Sequence, residues 1–200
     1  HEVGYWSPEK LTEDVDITWK LQLASWEVRF EPRALCWILM PETLRGLWKQ
    51  RLRWSMGGTQ VLLDYLPQIF SLKNLRLWPL FIEYAASILW ACLFMLLLIY
   101  RTADHIFFRI DLQSSPMLML GWAGLLIGTT CLLQIMLSLV LDRRYDRGLL
   151  KNYFWMIWYP IVYWLLTAAT AVAALPKTIF RDSEKRARWT SPDRGITPSR

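Results

Sequence analysis

Apolar positions split the chain into a mixed first part and three long greasy runs. Near the start, Val15, Trp19, Leu23 and Trp26 recur at helical spacing and predict a helix with one core-facing stripe. Thr12 stands at its N-cap position. Glu13, Asp14 and Asp16 load the first turn with negative charge, where the helix dipole favours it. Asp16 and Lys20 make an i, i+4 pair worth a few tenths of a kcal/mol. Val28 and Phe30 then alternate with Glu27, Arg29 and Glu31, and this period of two predicts a short strand that Pro32 ends. The apolar run from Ala34 to Met40 predicts a second strand before Pro41. Residues 1–41 therefore read as the closing piece of an α/β domain.

A helix is predicted next, over 41–58. Leu44, Leu47, Trp48, Leu52 and Met56 form one apolar arc, and Gln50, Arg53 and Trp54 project together from the opposite side. Gly46 and Gly57 share that second side and are expected to leave it open to a ligand. Arg45, Lys49 and Arg51 lie on the flanks, within reach of lipid headgroups. Such a helix suits a membrane surface, although an unspecialised interfacial helix has the same pattern. The stretch 59–72, interrupted by Pro67, is too short to cross a bilayer and is expected to lie along it, with Lys73, Arg76 and Trp78 as anchors.

Three spans are predicted at 79–100, 116–141 and 153–175. The shortest, 22 residues long, makes about 33 Å of helix, enough for the hydrocarbon core. Pro160 is expected to kink the last one. Section 42–78 carries six Lys/Arg, loop 101–115 two and loop 142–152 four, which puts 42–78 and 142–152 in the cytoplasm. The basic tail, 176–200, carries seven, yet three crossings place it outside. Either the last run is re-entrant or the charge rule fails there.

Composition supports a membrane protein: 54% of residues are apolar and thirteen are Trp. The net charge of +6 suits anionic lipid or an anionic substrate, and nothing resembles a nucleic-acid module. Cys36, Cys92 and Cys131 make neither a disulfide framework nor a metal knuckle, and His105 reads as a loop residue. Before the 41–58 helix, the only carboxylate pair with D-x-D spacing for a nucleotide-bound metal is Asp14-Val-Asp16, which overlaps the acidic triplet. Glu83, one turn inside a span, either lines a polar path or reaches the headgroups. Arg181, Lys185, Arg186 and Arg188 either hold a phosphorylated ligand or acidic lipid, or are simply solvated. The chain opens without Met or a signal peptide and is expected to be the C-terminal part of a longer protein.

Two motifs stand 36 residues apart: Thr12-Glu13-Asp14 and Gln50-Arg51-Leu52-Arg53-Trp54. Taken alone, the triplet fits an ordinary acidic helix start as well as a general base. In this order, ahead of membrane spans, the pair resembles the T-E-D and Q-x-x-R-W motifs of processive, membrane-bound family 2 glycosyltransferases. The likeness is nearest to the bacterial poly-β-1,6-N-acetylglucosamine synthases. It runs through 11–23, 31–44 and 47–54 and resumes at 186–195.

The resemblance implies that residues 1–41 end a GT-A type domain. It implies an inverting transfer in which Asp14, with Glu13 and Thr12 beside it, serves the acceptor hydroxyl. Gln50, Arg53 and Trp54 would bind the nucleotide diphosphate and the acceptor end of the polymer, with Arg51 a lesser candidate. Also implied are UDP-N-acetylglucosamine as donor, Mg²⁺ or Mn²⁺ held by residues outside this chain, and polymer export through the spans of the bacterial inner membrane, with the catalytic part cytoplasmic. A small membrane partner subunit and control by cyclic di-GMP belong to the same expectation. The isolated chain is expected to be inactive, because the family's donor- and metal-binding half lies upstream of T-E-D. The alternatives are a cellulose- or hyaluronan-type synthase with another donor, and a non-enzymatic membrane channel or assembly subunit.

Overall fold

A computed structural model describes residues 3–36, 38, 40–108, 117–181 and 186–187. They form α1 (Glu13–Leu23), α2 (Leu44–Ile69), α3 (Trp78–Phe108), α4 (Met117–Asp142) and α5 (Tyr159–Ile179), with 3-10 segments at Leu72–Leu77 and Leu149–Trp158. No strand occurs among the described residues, so the α/β expectation for 1–41 is corrected: the regular elements described are all helical, and in 1–41 the only one is α1. The alternation at 27–31 is present, but no second strand lies beside it to bond the backbone. Its polar side chains pair along their own stretch instead, Arg29 Nη2 donating to Glu27 Oε2 at 2.6 Å, while Phe30 is exposed. Trp37 and Leu39, in the second expected strand, lie outside the described residues.

The chain forms two compact units. The first comprises 1–93 and 167–200, and its core gathers Trp19, Val61, Leu62 and Ile69, with Val15 and Tyr65 packed against them. Helix α1 ends at Leu23 rather than running to Trp26. Ser25 turns into the left-handed region at φ 69°, the Trp26 N–H bonds the Leu21 carbonyl at 2.9 Å, and the Ser25 N–H bonds that of Gln22 at 3.1 Å. That pair of bonds closes the helix in a Schellman turn. Trp26 is left exposed.

Helix α2 is one continuous helix of 26 residues, about 39 Å long. It runs through Gly57-Gly58 and Pro67, where the sequence suggested a break. Thr43 caps it, its hydroxyl accepting from the Gly46 N–H at 3.0 Å. Gly57 is not open space: a Cβ there would lie 2.5 Å from Thr12 Cγ2. Gly58 is covered in the same way by the Tyr84 hydroxyl.

The expected surface pair Asp16–Lys20 is instead a buried node. Asp16 is fully buried, Lys20 Nζ lies 3.1 Å from its Oδ2, and the Tyr65 hydroxyl donates to its Oδ1 at 2.8 Å. Burial and then the Asp16 hydrogen bond push the Tyr65 hydroxyl well above the ordinary tyrosine range.

Three helical stretches are long and apolar enough to cross a membrane: Leu72–Asp104, Gly124–Asp142 and Val162–Ile179. Helix α3 continues through 101–108, so His105 is helical rather than in a loop. Pro160 falls in the first turn of α5, directly after the 3-10 segment ends at Trp158, where a missing N–H is tolerated. The second unit, 94–166, holds α4 and the 3-10 segment Leu149–Trp158, which lies along it with the Tyr153 hydroxyl on the Leu132 carbonyl at 3.5 Å.

Two predictions come from this packing. Gly57→Ala should lower the unfolding temperature in detergent, because the new methyl meets Thr12 at a cost of about 1–3 kcal/mol. Gly128→Ala, also within a helix but with nothing near the added Cβ, should leave it unchanged or raised. The second prediction concerns pH. Tyr65 keeps its proton in the folded chain beyond the ordinary value of 10.0, so its stabilisation is whole below that pH and is lost as pH rises above it. Alkaline titration of stability should therefore fall more steeply above pH 10.0 for wild type than for Tyr65→Phe.

Candidate active site

The two sequence motifs meet. Arg53, midway along α2, donates from Nη1 to the Leu11 carbonyl at 2.9 Å, one residue before Thr12. One turn on, Gly57 takes the Thr12 side chain against the helix backbone. Gln60 Nε2 then reaches the Glu9 carbonyl at 3.4 Å, and Asp64 pairs with Lys10. Positions 53, 57, 60 and 64 follow the i, i+4, i+7, i+11 rule, so they form a single stripe along α2. The stripe grips residues 9–12 and so fixes where α1 begins.

From that grip the carboxylates emerge. Glu13 and Asp14 occupy the exposed first turn of α1, and Asp14 Oδ1 accepts the Val15 N–H at 2.9 Å. Thr12 occupies the N-cap position as expected but makes no cap hydrogen bond with its side chain. It is buried on Gly57, and its Oγ1 meets no donor or acceptor among the described residues. Its role here is to seat the turn on α2.

Gln50, one turn before Arg53 on the same face, is buried as well, and its Oε1 also lacks a partner among the described residues. A buried amide oxygen left bare costs about 1–3 kcal/mol unless a ligand, a water or another part of the protein satisfies it. Arg51, the lesser substrate-binding candidate, lies on the flank of α2. Its guanidinium stacks over Trp54, 4.3 Å from the ring centroid. One face of the Trp54 ring is therefore covered by Arg51.

Asp14 and Asp16 share a metal-carboxylate spacing but not a task, since Asp16 is committed to Tyr65 and Lys20 inside the core. No group of three His, Cys, Asp or Glu side chains suited to a metal occurs among the described residues. The carboxylates described here do not fit a metal on their own. Sequence reading missed Gly57, Gln60 and Asp64 as the partners of the acidic turn. Their spacing from Arg53 was the available signal.

Comparison with known proteins agrees with the geometry. The profile of glycosyl transferase family group 2 matches residues 1–173. A poly-beta-1,6-N-acetyl-D-glucosamine synthase of Staphylococcus epidermidis is 37% identical over 195 residues, covering 97% of this chain and 47% of that protein. A synthase of the same name from Staphylococcus aureus (strain COL) is 37% identical over 196 residues, covering 98% of this chain and 48% of that protein. The chain thus spans about half the length of the curated relatives it matches. No solved structure matches it. With the two motifs joined across α1 and α2 and the family match covering most of its length, the chain belongs to glycosyl transferase family group 2.

Proposed function

We propose that this chain supplies the acceptor side and the membrane part of an inverting synthase that adds N-acetylglucosamine from UDP-N-acetylglucosamine to a growing β-1,6-linked polymer. The observation that carries the reading is the Arg53–Leu11 bond, which holds the acidic turn against the Gln50–Trp54 helix. The name shared by the staphylococcal relatives supports the donor and the linkage. Three apolar helices support a membrane location.

In this mechanism the exposed Asp14 carboxylate takes the proton of the acceptor hydroxyl as its oxygen attacks the anomeric carbon. The new C–O bond forms on the face opposite the diphosphate, the bond to the phosphate oxygen breaks, and UDP leaves with that electron pair. An α-linked donor thus yields a β-linked product. Arg53 has five N–H donors in a planar fork and spends one on Leu11, which leaves its other edge for diphosphate oxygens. The bare Gln50 Oε1 accepts a hydroxyl from either sugar, and Trp54 packs on the C–H face of the acceptor ring. An inner-membrane setting with this site cytoplasmic, and export through the apolar helices, are parts of the same proposal. A partner subunit and cyclic di-GMP control come with the family resemblance and rest on no residue of this chain.

The test is polymer formation from radiolabelled UDP-N-acetylglucosamine in membranes carrying the full-length protein. Asp14→Asn, at unchanged expression, should reduce synthesis by about 10²–10⁴-fold, the usual worth of a general base. Full activity in Asp14→Asn would reduce that residue to part of a helix start. Product from UDP-glucose alone would keep the enzyme class and change the donor. Arg53→Lys should also lose most activity, because lysine offers no planar fork.

A further inference from the structure

Helix α5 ends against α2. Thr170 and Ala174 have no exposed surface, and the Thr178 hydroxyl donates to the Met56 carbonyl at 3.5 Å. Just past the helix, Arg181 Nη2 donates to the Glu9 carbonyl at 3.1 Å. Farther along, the Ala187 N–H donates to the Pro8 carbonyl at 2.9 Å. The same short segment that α2 grips from one side is thus held by the end of the chain as well. The Glu9 carbonyl accepts from both: Gln60 of α2 at 3.4 Å and Arg181 at 3.1 Å. Of the two, the guanidinium makes the stronger bond, because it is charged.

Three full crossings would place the tail on the far side of the membrane from Thr12–Asp14, whereas its seven Lys/Arg favour the near side. These contacts are incompatible with the far side, since a backbone hydrogen bond does not reach across a bilayer. We propose that the segment after α5 lies on the same side of the membrane as the Thr12–Asp14 turn, and that Arg181 is a positioning residue for that turn. The chain between Trp78 and Thr178 then makes an even number of passes. One of the three apolar runs therefore turns back instead of crossing, since the turn between α4 and Leu149–Trp158 is already counted as the loop between the second and third runs. Leu132 and Tyr153 lie at nearly equal sequence distances on either side of Asp142, and their contact marks α4 and Leu149–Trp158 as the two arms of one hairpin. A basic tail on the cytoplasmic side also restores agreement with the positive-inside rule. The catalytic half of the proposal rests on the synthase reading above, whereas the side of the tail does not.

The experiment has two arms, both in the full-length protein. In a cysteine-free background, single cysteines are placed by Arg186→Cys and, on the exposed flank of α2, by Lys49→Cys. Both should react with a membrane-impermeant maleimide from the same side, in inverted vesicles and not in right-side-out ones. Labelling from opposite sides overturns the proposal. In the second arm, Arg181→Ala should lower kcat for polymer synthesis at least about tenfold, as misplacement of a catalytic group does, with KM for UDP-N-acetylglucosamine unchanged. Arg181→Lys, which keeps one charged donor for Glu9, should recover most of that loss. Wild-type kcat in Arg181→Ala, or a loss confined to KM, overturns the positioning role. Wild-type protein that makes no polymer contradicts the synthase reading alone, and the labelling still decides where the tail lies.

Discussion

The backbone carbonyls of residues 8–11 are the constraint on which the first unit depends. This segment belongs to no helix, so each polar group it buries needs a partner from elsewhere in the chain. The partners are supplied at long range: Arg53 and Gln60 from α2, Arg181 and Ala187 from the other end of the sequence. Lys20 of α1 adds the Tyr5 carbonyl and the Ser7 hydroxyl. Meeting this demand sets the position of Thr12, and Thr12 sets where α1 starts. The acidic turn is placed by hydrogen bonds to its neighbours more than by any cap of its own.

This arrangement gives single residues two duties. Arg53 holds Leu11, and in the proposed mechanism its other edge also serves a diphosphate, so its loss would strike both the shape of the site and the binding of donor. Gly57 has no side chain because Thr12 occupies the space. Asp16 looks like a second catalytic carboxylate, yet it is the buried pin between α1 and α2, held by Tyr65 and Lys20. Asp14, two residues earlier, is exposed and keeps its carboxylate at the surface.

What the sequence made legible follows from the range of the forces involved. The long helices are written in local periodicity and in the hydrocarbon thickness, and α3, α4 and α5 fall near the expected runs. The two motifs were legible because each lies within one helical turn. The strand at 28–30 was misread because alternation records a preference, while a strand also needs a neighbour, and the described residues of 34–40 form no strand either. Gly57-Gly58 and Pro67 read as breaks because their local propensity is poor, whereas packing by Thr12 and Tyr84 holds α2 continuous. Asp16–Lys20 has the same spacing whether exposed or buried, and only the approach of Tyr65 from α2 decides between the two. The side of the tail stayed open because its charge and the count of apolar runs disagree, and its partners, Pro8 and Glu9, lie at the opposite end of the sequence.

The central claim is that residues 9–12 stay seated on the Arg53–Asp64 stripe of α2 in the working protein. The direct measurement is a cross-link at the Lys10–Asp64 contact. Lys10→Cys and Asp64→Cys would be joined by a short bis-maleimide in the full-length protein, and polymer synthesis compared before and after joining. The account predicts ready cross-linking with synthesis retained, because the linked state is the active one. A pair that fails to cross-link, or a cross-link that stops synthesis in a double variant active beforehand, would contradict it.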